Sequence, residues 1–210
     1  MIDVHHQLNT VRRTVGRRVL EAGEAHVVTI SQLYDTTVED LWDCCTDAER
    51  LPRWFLPVTG ELRVGGRYQL EGNAGGEVLQ CEPPARFSAT WEYGDAVSWI
   101  EVTVTAEGNG ARFTLEHLAR PDEHWGEFGP GAVGIGWDLA LLGLTLHLGS
   151  REPVDAAAVA EWTLSPDGLR FMTGSGTAWG EADAARGEDP EVARAAAERT
   201  IAAYTTPPPG

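Results

Sequence analysis

Three polar side chains stand in the most apolar segments of the sequence and could do chemistry there. His117 shares a predicted strand face with Phe113 and Leu115, so its imidazole could serve as a base or as a hydrogen-bonding group in the core. Asp138 lies in an apolar segment, where an unpaired carboxylate is costly. Glu101 lies on the longest predicted strand. Each also has a structural interpretation: a hydrogen-bonded core histidine, a hydrogen-bonded buried carboxylate, and an exposed residue of the outer sheet face.

These residues do not form a familiar catalytic or metal-binding motif. The sequence contains no G-x-S-x-G, no paired carboxylates at catalytic spacing and no H-E-x-x-H. The pair His5-His6 and the segment 122–124 lack further ligands at a metal-site spacing, and both are predicted to be solvated. Catalysis is therefore permitted but not predicted, and no metal or cofactor is indicated.

Charge and cysteine content restrict the partners and the compartment. The 210 residues include 32 acidic and 16 basic side chains, a net charge of -16. Because nucleic-acid binding needs a clustered basic surface, nucleic acid is not expected as a partner. Cys44, Cys45 and Cys81 fit no disulfide or metal pattern, and the N-terminus has no apolar signal sequence, so we expect a cytoplasmic protein. The apolar segment 131–149 contains Asp138 and His147, which favours a core helix over a membrane span.

The periodicity of the chain changes several times. Residues 27–34 predict a strand, and Thr36 and Glu39 form the T-x-x-E capping box of a short helix. From 65 to about 118 the pattern has period two and is interrupted by turn residues, which predicts an antiparallel meander. One face of this meander is strongly apolar, carrying Ile100, Val102 and Val104 on its longest strand; Trp99 and Glu101 lie on the other face. The segment 131–148 predicts the helix that covers the apolar face.

The last sixty residues predict a helical extension. A short Ala-rich helix spans 155–163, and Ser165-Pro166 and Asp189-Pro190 each predict an N-cap followed by proline at the first helical position. Since the helix at 131–148 is apolar almost all round, it needs burial on two sides. The extension can provide the second side, and so can an isologous homodimer.

Several motifs in matching order carry a family resemblance. They are "VEDLWDCCTDAERLPRWF", "VGGRY", "GGEVLQCEPPARFSATWEY", "SWIEVTVT", "GARFTLEH" and "GIGWDLALLGL". From residue 26 to about 148 the chain resembles the bacterial Hsp90 ATPase activator homologues, a branch of the START/Bet v1-like superfamily. The resemblance implies an α+β helix-grip fold, in which a curved antiparallel sheet surrounds a long C-terminal helix and encloses a cavity. It places Trp54 and Phe55 at one mouth of that cavity, although both could simply plug the core.

The expected organisation is a segment 1–25 that could add a strand, a helix-grip domain 26–149 and the extension 150–210. The function expected first is binding of an apolar or aromatic small molecule in the cavity. Two alternatives are a chaperone- or protein-interaction module and a cyclase- or hydrolase-like enzyme that uses polar cavity residues. The predicted ligand-binding residues are Trp54, Phe55, Trp91, Trp99, Glu101, His117, Trp137 and Leu141.

Overall fold

The computed structural model describes residues 2–20 and 23–206. Its strands are β1 (Arg12–Leu20), β2 (Gly23–Tyr34), β3 (Val58–Gly60), β4 (Arg67–Leu70), β5 (Gly75–Glu82), β6 (Arg86–Tyr93), β7 (Ala96–Glu107) and β8 (Gly110–Ala119). Its helices are α1 (Val4–Thr10), α2 (Val38–Thr46), α3 (Glu123–Phe128), α4 (Gly131–Ser150), α5 (Ala156–Thr163), α6 (Pro166–Ala185) and α7 (Pro190–Thr205), with a 3-10 turn at Leu51–Arg53. The predicted α+β helix-grip fold is confirmed.

The strands form one open, curved antiparallel sheet in the order β1-β2-β8-β7-β6-β5-β4-β3. The predicted alternation is correct: Ile100, Val102 and Val104 are buried, and the residues between them are more exposed. We call the face that carries these three residues the inner face. In the register of β7 and β8, Ile100 lies opposite His117. His117 therefore lies on the inner face, as its spacing from Phe113 predicts.

Helix α2 begins one residue later than the capping box predicts. Its N-cap is Thr37, whose hydroxyl accepts a hydrogen bond from the backbone N–H of Asp40 at 3.1 Å. The hydroxyl of Thr36 donates instead to the Asp40 carboxylate. The prediction of Thr36 as the cap is therefore wrong. The helix buries Leu41, Trp42 and Cys45 in the core, and Val38 in its first turn is half-buried.

Helix α4 is the predicted long apolar helix. By length and composition alone it could cross a membrane, but 56% of its most apolar 18-residue window is buried within the protein. Two of its polar residues, Asp138 and His147, are also buried within the protein. The Asp138 carboxylate and the His147 Nδ1 atom both have hydrogen-bond partners in the protein, which favours the core-helix interpretation.

The C-terminal extension is helical, and its predicted caps are confirmed. Ser165 accepts a hydrogen bond from the N–H of Gly168 at the start of α6, and Asp189 accepts from two N–H groups at the start of α7. Trp179 of α6 is fully buried and lies directly against α4. A Cβ atom at Gly134 would lie 2.4 Å from the Trp179 indole, so glycine is the residue that lets the two helices approach here.

The chain divides into two compact units. The first comprises Met1–Ile30, Pro121–Leu139 and Asp155–Gly210; the second comprises Ser31–Arg120 and Ala140–Val154. Strand β2 and helix α4 each contribute residues to both units. The boundaries expected from sequence, at 25/26 and 149/150, stay a prediction.

Candidate functional site

A cluster on the inner face of the second unit combines aromatic and neutral polar groups. Trp91 lies opposite Ser98 in the pairing of β6 and β7, and His117 follows on the neighbouring strand. The rings of Trp91 and His117 meet edge to face, with centroids 6.2 Å apart. The His117 Nε2 atom lies 2.9 Å from the Ser98 hydroxyl. Two predicted ligand-binding residues, Trp91 and His117, are thus brought into contact.

Hydrogen bonding and burial define the state of His117. The Ser98 hydroxyl donates to the backbone carbonyl of Trp91 at 3.0 Å, so its oxygen can accept from an Nε2–H on His117. Burial lowers the pKa of His117 to about 4 from its ordinary value of 6.5. The imidazole is therefore uncharged at neutral pH, and it is suited to hydrogen bonding more than to proton transfer.

The second half of α4 faces the sheet through two polar contacts that the sequence did not reveal. The hydroxyl of Tyr34 donates to the backbone carbonyl of Leu141 at 3.2 Å, and the amide of Gln32 donates to the hydroxyl of Thr145 at 3.0 Å. Both β2 side chains are buried. Gln32 and Tyr34 follow Ile30 by two and four residues along β2, so all three side chains lie on the same face of the strand. This spacing is the signal that could have placed them on a buried face. The predicted residue Leu141 is buried beside them.

Trp54 and Phe55 lie directly after the 3-10 turn and contact each other, with ring centroids 5.5 Å apart. The Trp54 indole donates to the backbone carbonyl of Cys44 at 2.8 Å. A Cβ atom at Gly143 of α4 would lie 2.5 Å from the Trp54 carbonyl oxygen, so the turn sits tightly against the helix. This geometry anchors the turn by packing, and it places Trp54 beside α4 within the second unit.

Ion pairs and backbone contacts fasten the same region. The Asp40 carboxylate accepts hydrogen bonds from Arg50, Arg151 and the hydroxyl of Thr36. Burial alone would raise the pKa of this carboxyl, but the three hydrogen bonds have the larger effect and hold its pKa well below the usual range. Arg53 donates to the backbone carbonyl of Arg151 at 2.6 Å. The loop after α4 is therefore tied to α2 and to the 3-10 turn.

Trp99 and Glu101 lie on the other face of the sheet. Their register partners in β8 are Leu118 and Glu116, which alternate with His117. The Arg120 guanidinium lies over the Trp99 ring, 5.6 Å from its centroid. The alternation of side chains along a strand thus separates these two predicted residues from the cluster of Trp91 and His117.

Asp138 belongs to the first unit and is fully committed to hydrogen bonds. Arg13 binds it with two nitrogens, at 2.6 and 3.0 Å, and Ser175 and Trp179 donate to the same carboxylate at 2.6 and 2.9 Å. The structural interpretation of this residue therefore fits the geometry. Its neighbour Trp137, another predicted ligand-binding residue, lies in the same unit and is half-buried.

Metal binding and thiol chemistry find no support in the described residues. Across 2–20 and 23–206, no group of three or more His, Cys, Asp or Glu side chains could hold a metal ion. Burial raises the pKa of Cys44 and Cys45, so neither thiol is activated at neutral pH.

Comparison with known proteins adds a family and its relatives. The family model described as "Activator of Hsp90 ATPase homolog 1-like protein" matches residues 35–149, just over half of the chain. CalU16 from Micromonospora echinospora is 35% identical; its crystal structure covers 82% of this chain and 97% of its own, with a TM-score of 0.67. Its solution structure covers 84% and 96%, with a TM-score of 0.72. This similarity extends well beyond the residues of the family match.

A more distant structure shares the fold alone. Protein MLL2253 from Mesorhizobium loti is 24% identical over 60% of this chain and 97% of its own, with a TM-score of 0.53. No protein with a curated function matches the chain.

Proposed function

From the premise that the chain belongs to the activator of Hsp90 ATPase homolog 1-like family, we propose that its second unit binds an uncharged aromatic small molecule. The site lies between the inner face of the sheet and residues 140–150 of α4. The observation that carries the proposal is the cluster of Trp91, Ser98 and His117, which offers an aromatic edge and neutral hydrogen-bonding groups on an apolar surface.

The charge state of the site supports an uncharged ligand. His117 is neutral, and its inner-face neighbours Ile100 and Leu115 are apolar and buried. The polar contacts to α4 come from Gln32 and Tyr34, which carry no charge at neutral pH. A ligand that carried a charge into this surface would lose hydration without a counter-charge, and this cost selects against it.

The enzyme alternative has weaker support. His117 and Glu101 lie on opposite faces of the sheet, and the Asp138 carboxylate already accepts hydrogen bonds from Arg13, Ser175 and Trp179. A histidine with a pKa of about 4 is a poor general base at neutral pH. The three candidate residues therefore do not make one catalytic group. The chaperone alternative rests on the family description alone, and an unchanged Hsp90 ATPase rate would argue against it.

Binding of the uncharged fluorophore N-phenyl-1-naphthylamine tests the proposal. We expect Trp91→Leu to weaken binding about fivefold, because one aromatic pair contributes roughly 1 kcal/mol beyond buried area. Trp99→Leu is the matched control: it removes the same side chain from the outer face and should leave the affinity unchanged. The anionic fluorophore anilinonaphthalene sulfonate should bind more weakly than the neutral one. Equal effects of the two tryptophan variants would contradict the proposal.

Native mass spectrometry of freshly purified protein addresses the natural ligand and the oligomeric state. An additional mass that is lost on denaturation would identify a copurifying molecule. The same spectrum distinguishes a monomer from the homodimer, which stays a prediction. A cytoplasmic location is inferred from the free thiols Cys44, Cys45 and Cys81, and fractionation of cells tests it.

A further inference from the structure

The cluster of the proposed site lies where the inner face passes from the core to solvent. Along β6 the exposure of the inner-face side chains rises from Ala89, which is 2% exposed, through the half-buried Trp91 to Tyr93, which is 64% exposed. Along β7 it rises in the same direction, from the buried Ile100 to the half-buried Ser98. A small molecule can therefore reach Trp91 and Ser98 from the end of the sheet where the β6–β7 hairpin turns.

Ser98 supplies the polar group of this accessible part of the cluster. Its hydroxyl has one hydrogen, which it donates to the backbone carbonyl of Trp91 at 3.0 Å. Its oxygen has two lone pairs, and one of them accepts from the Nε2–H of His117 at 2.9 Å. Within the described part of the chain these two bonds leave one lone pair for a further donor and no hydrogen for a further acceptor. The hydroxyl can thus accept one more hydrogen bond but cannot donate one.

An aromatic surface stands beside that lone pair. Ser98 and Trp91 lie directly opposite each other in the pairing of β6 and β7, and the Cβ atoms of such a pair are about 4.5–5.5 Å apart. A ring that packs on the Trp91 indole can therefore carry a substituent that reaches the Ser98 oxygen. The inner-face neighbours Ala89 and Ile100 are apolar and buried, so a charged donor would lose hydration there without a counter-charge. The donor that fits is an uncharged one.

We propose that the aromatic ligand of the second unit is a phenol, whose hydroxyl donates to the Ser98 Oγ atom while its ring packs on Trp91. This inference rests on the proposed function, because it names the chemical class of the molecule bound at that same site. It also makes Ser98 a specificity-determining residue. An aryl ether in the same position has no hydrogen to donate, and its oxygen would face the Ser98 lone pair without a hydrogen bond.

A matched pair of ligands tests the inference. The phenol is 2-naphthol, and its partner is 2-methoxynaphthalene, which has the same rings but no donor; both are uncharged at neutral pH. Equilibrium dialysis against the whole chain gives the ratio of their dissociation constants. Ser98→Ala removes the acceptor, so the preference for naphthol in this ratio should fall about fivefold. Comparing the ratio between the two proteins cancels the difference in hydration of the two compounds.

Two further variants separate recognition of the hydroxyl from packing. Ser98→Thr keeps the hydroxyl and should keep the preference for naphthol. Ser88→Ala makes the same change on the outer face of β6, where Ser88 pairs with Glu101, and should leave the ratio unchanged. The same ratio in the wild type and Ser98→Ala, with both compounds still bound, would overturn the inference and leave the proposed function intact. If neither compound nor N-phenyl-1-naphthylamine binds to the wild type, the proposed function itself fails.

A measurement on the wild type alone makes the test independent of whether Ser98→Ala folds. The naphthol hydroxyl would share the Ser98 oxygen with the Nε2–H of His117. The NMR signal of the His117 Nε2 atom should therefore shift more on saturation with naphthol than with methoxynaphthalene. Equal shifts with the two compounds would overturn the inference.

Discussion

Replacement of Asp138 by asparagine should strongly destabilise the first unit. The carboxylate is completely buried, and it compensates the Arg13 guanidinium, whose side chain is only 6% exposed. Asp138→Asn keeps the size of the side chain but leaves that cation without a counter-charge. Removing one member of a buried ion pair typically costs about 3–5 kcal/mol.

The expected loss is large compared with the stability of an ordinary domain, which is about 5–15 kcal/mol. With a urea dependence of about 2 kcal/mol per molar, the unfolding midpoint should fall by about 2 M. Tryptophan fluorescence and far-UV circular dichroism should be followed together, because two compact units need not unfold in one transition.

A surface ion pair provides the control. Glu198 pairs with Arg194 on α7, and both side chains are 62% exposed. Glu198→Gln should therefore change the free energy of unfolding by less than about 0.5 kcal/mol. If Asp138→Asn costs no more than this control, the cluster around Asp138 does not stabilise the fold and our reasoning about it is wrong.

Two further predictions concern titration and close packing. The pKa of His117 in the folded protein is lowered to about 4 from 6.5. Between these two values only the unfolded chain protonates this histidine, so the free energy of unfolding is unaffected above about pH 6.5 and decreases as the pH falls toward about 4. In urea unfolding, the wild type should lose about 3 kcal/mol more than His117→Gln across that window, and equal pH profiles would contradict this. Gly134→Ala should destabilise by about 1–3 kcal/mol, because its Cβ would overlap the Trp179 indole. Gly126→Ala, whose Cβ meets nothing within 4 Å, should not destabilise; similar midpoints for the two alanine variants would refute the packing argument.

Local patterns in the sequence were sufficient for most of the fold. Alternation identified the inner face of β7 because a strand buried on one side must repeat with period two. The caps Ser165 and Asp189 were identifiable because each directly precedes a proline, which is favoured at the first position of a helix and disfavoured in its interior. The cap of α2 was missed because two adjacent threonines offer two registers. Thr37 is the cap because its hydroxyl accepts from the N–H of Asp40, whereas the hydroxyl of Thr36 bonds to the Asp40 carboxylate.

The candidate site and the buried polar contacts outside it were harder to predict, because they join residues that are distant in sequence. The cost of burying Asp138 implies a partner, but any of the 16 arginines could have supplied it. The residue that does so is Arg13, 125 positions away, and only the topology brings it there. The same limit applies to Trp99, which is as aromatic as Trp91 but lies one step out of phase with the inner face. Residue type can nominate a ligand site, whereas strand register decides which of two similar tryptophans belongs to it.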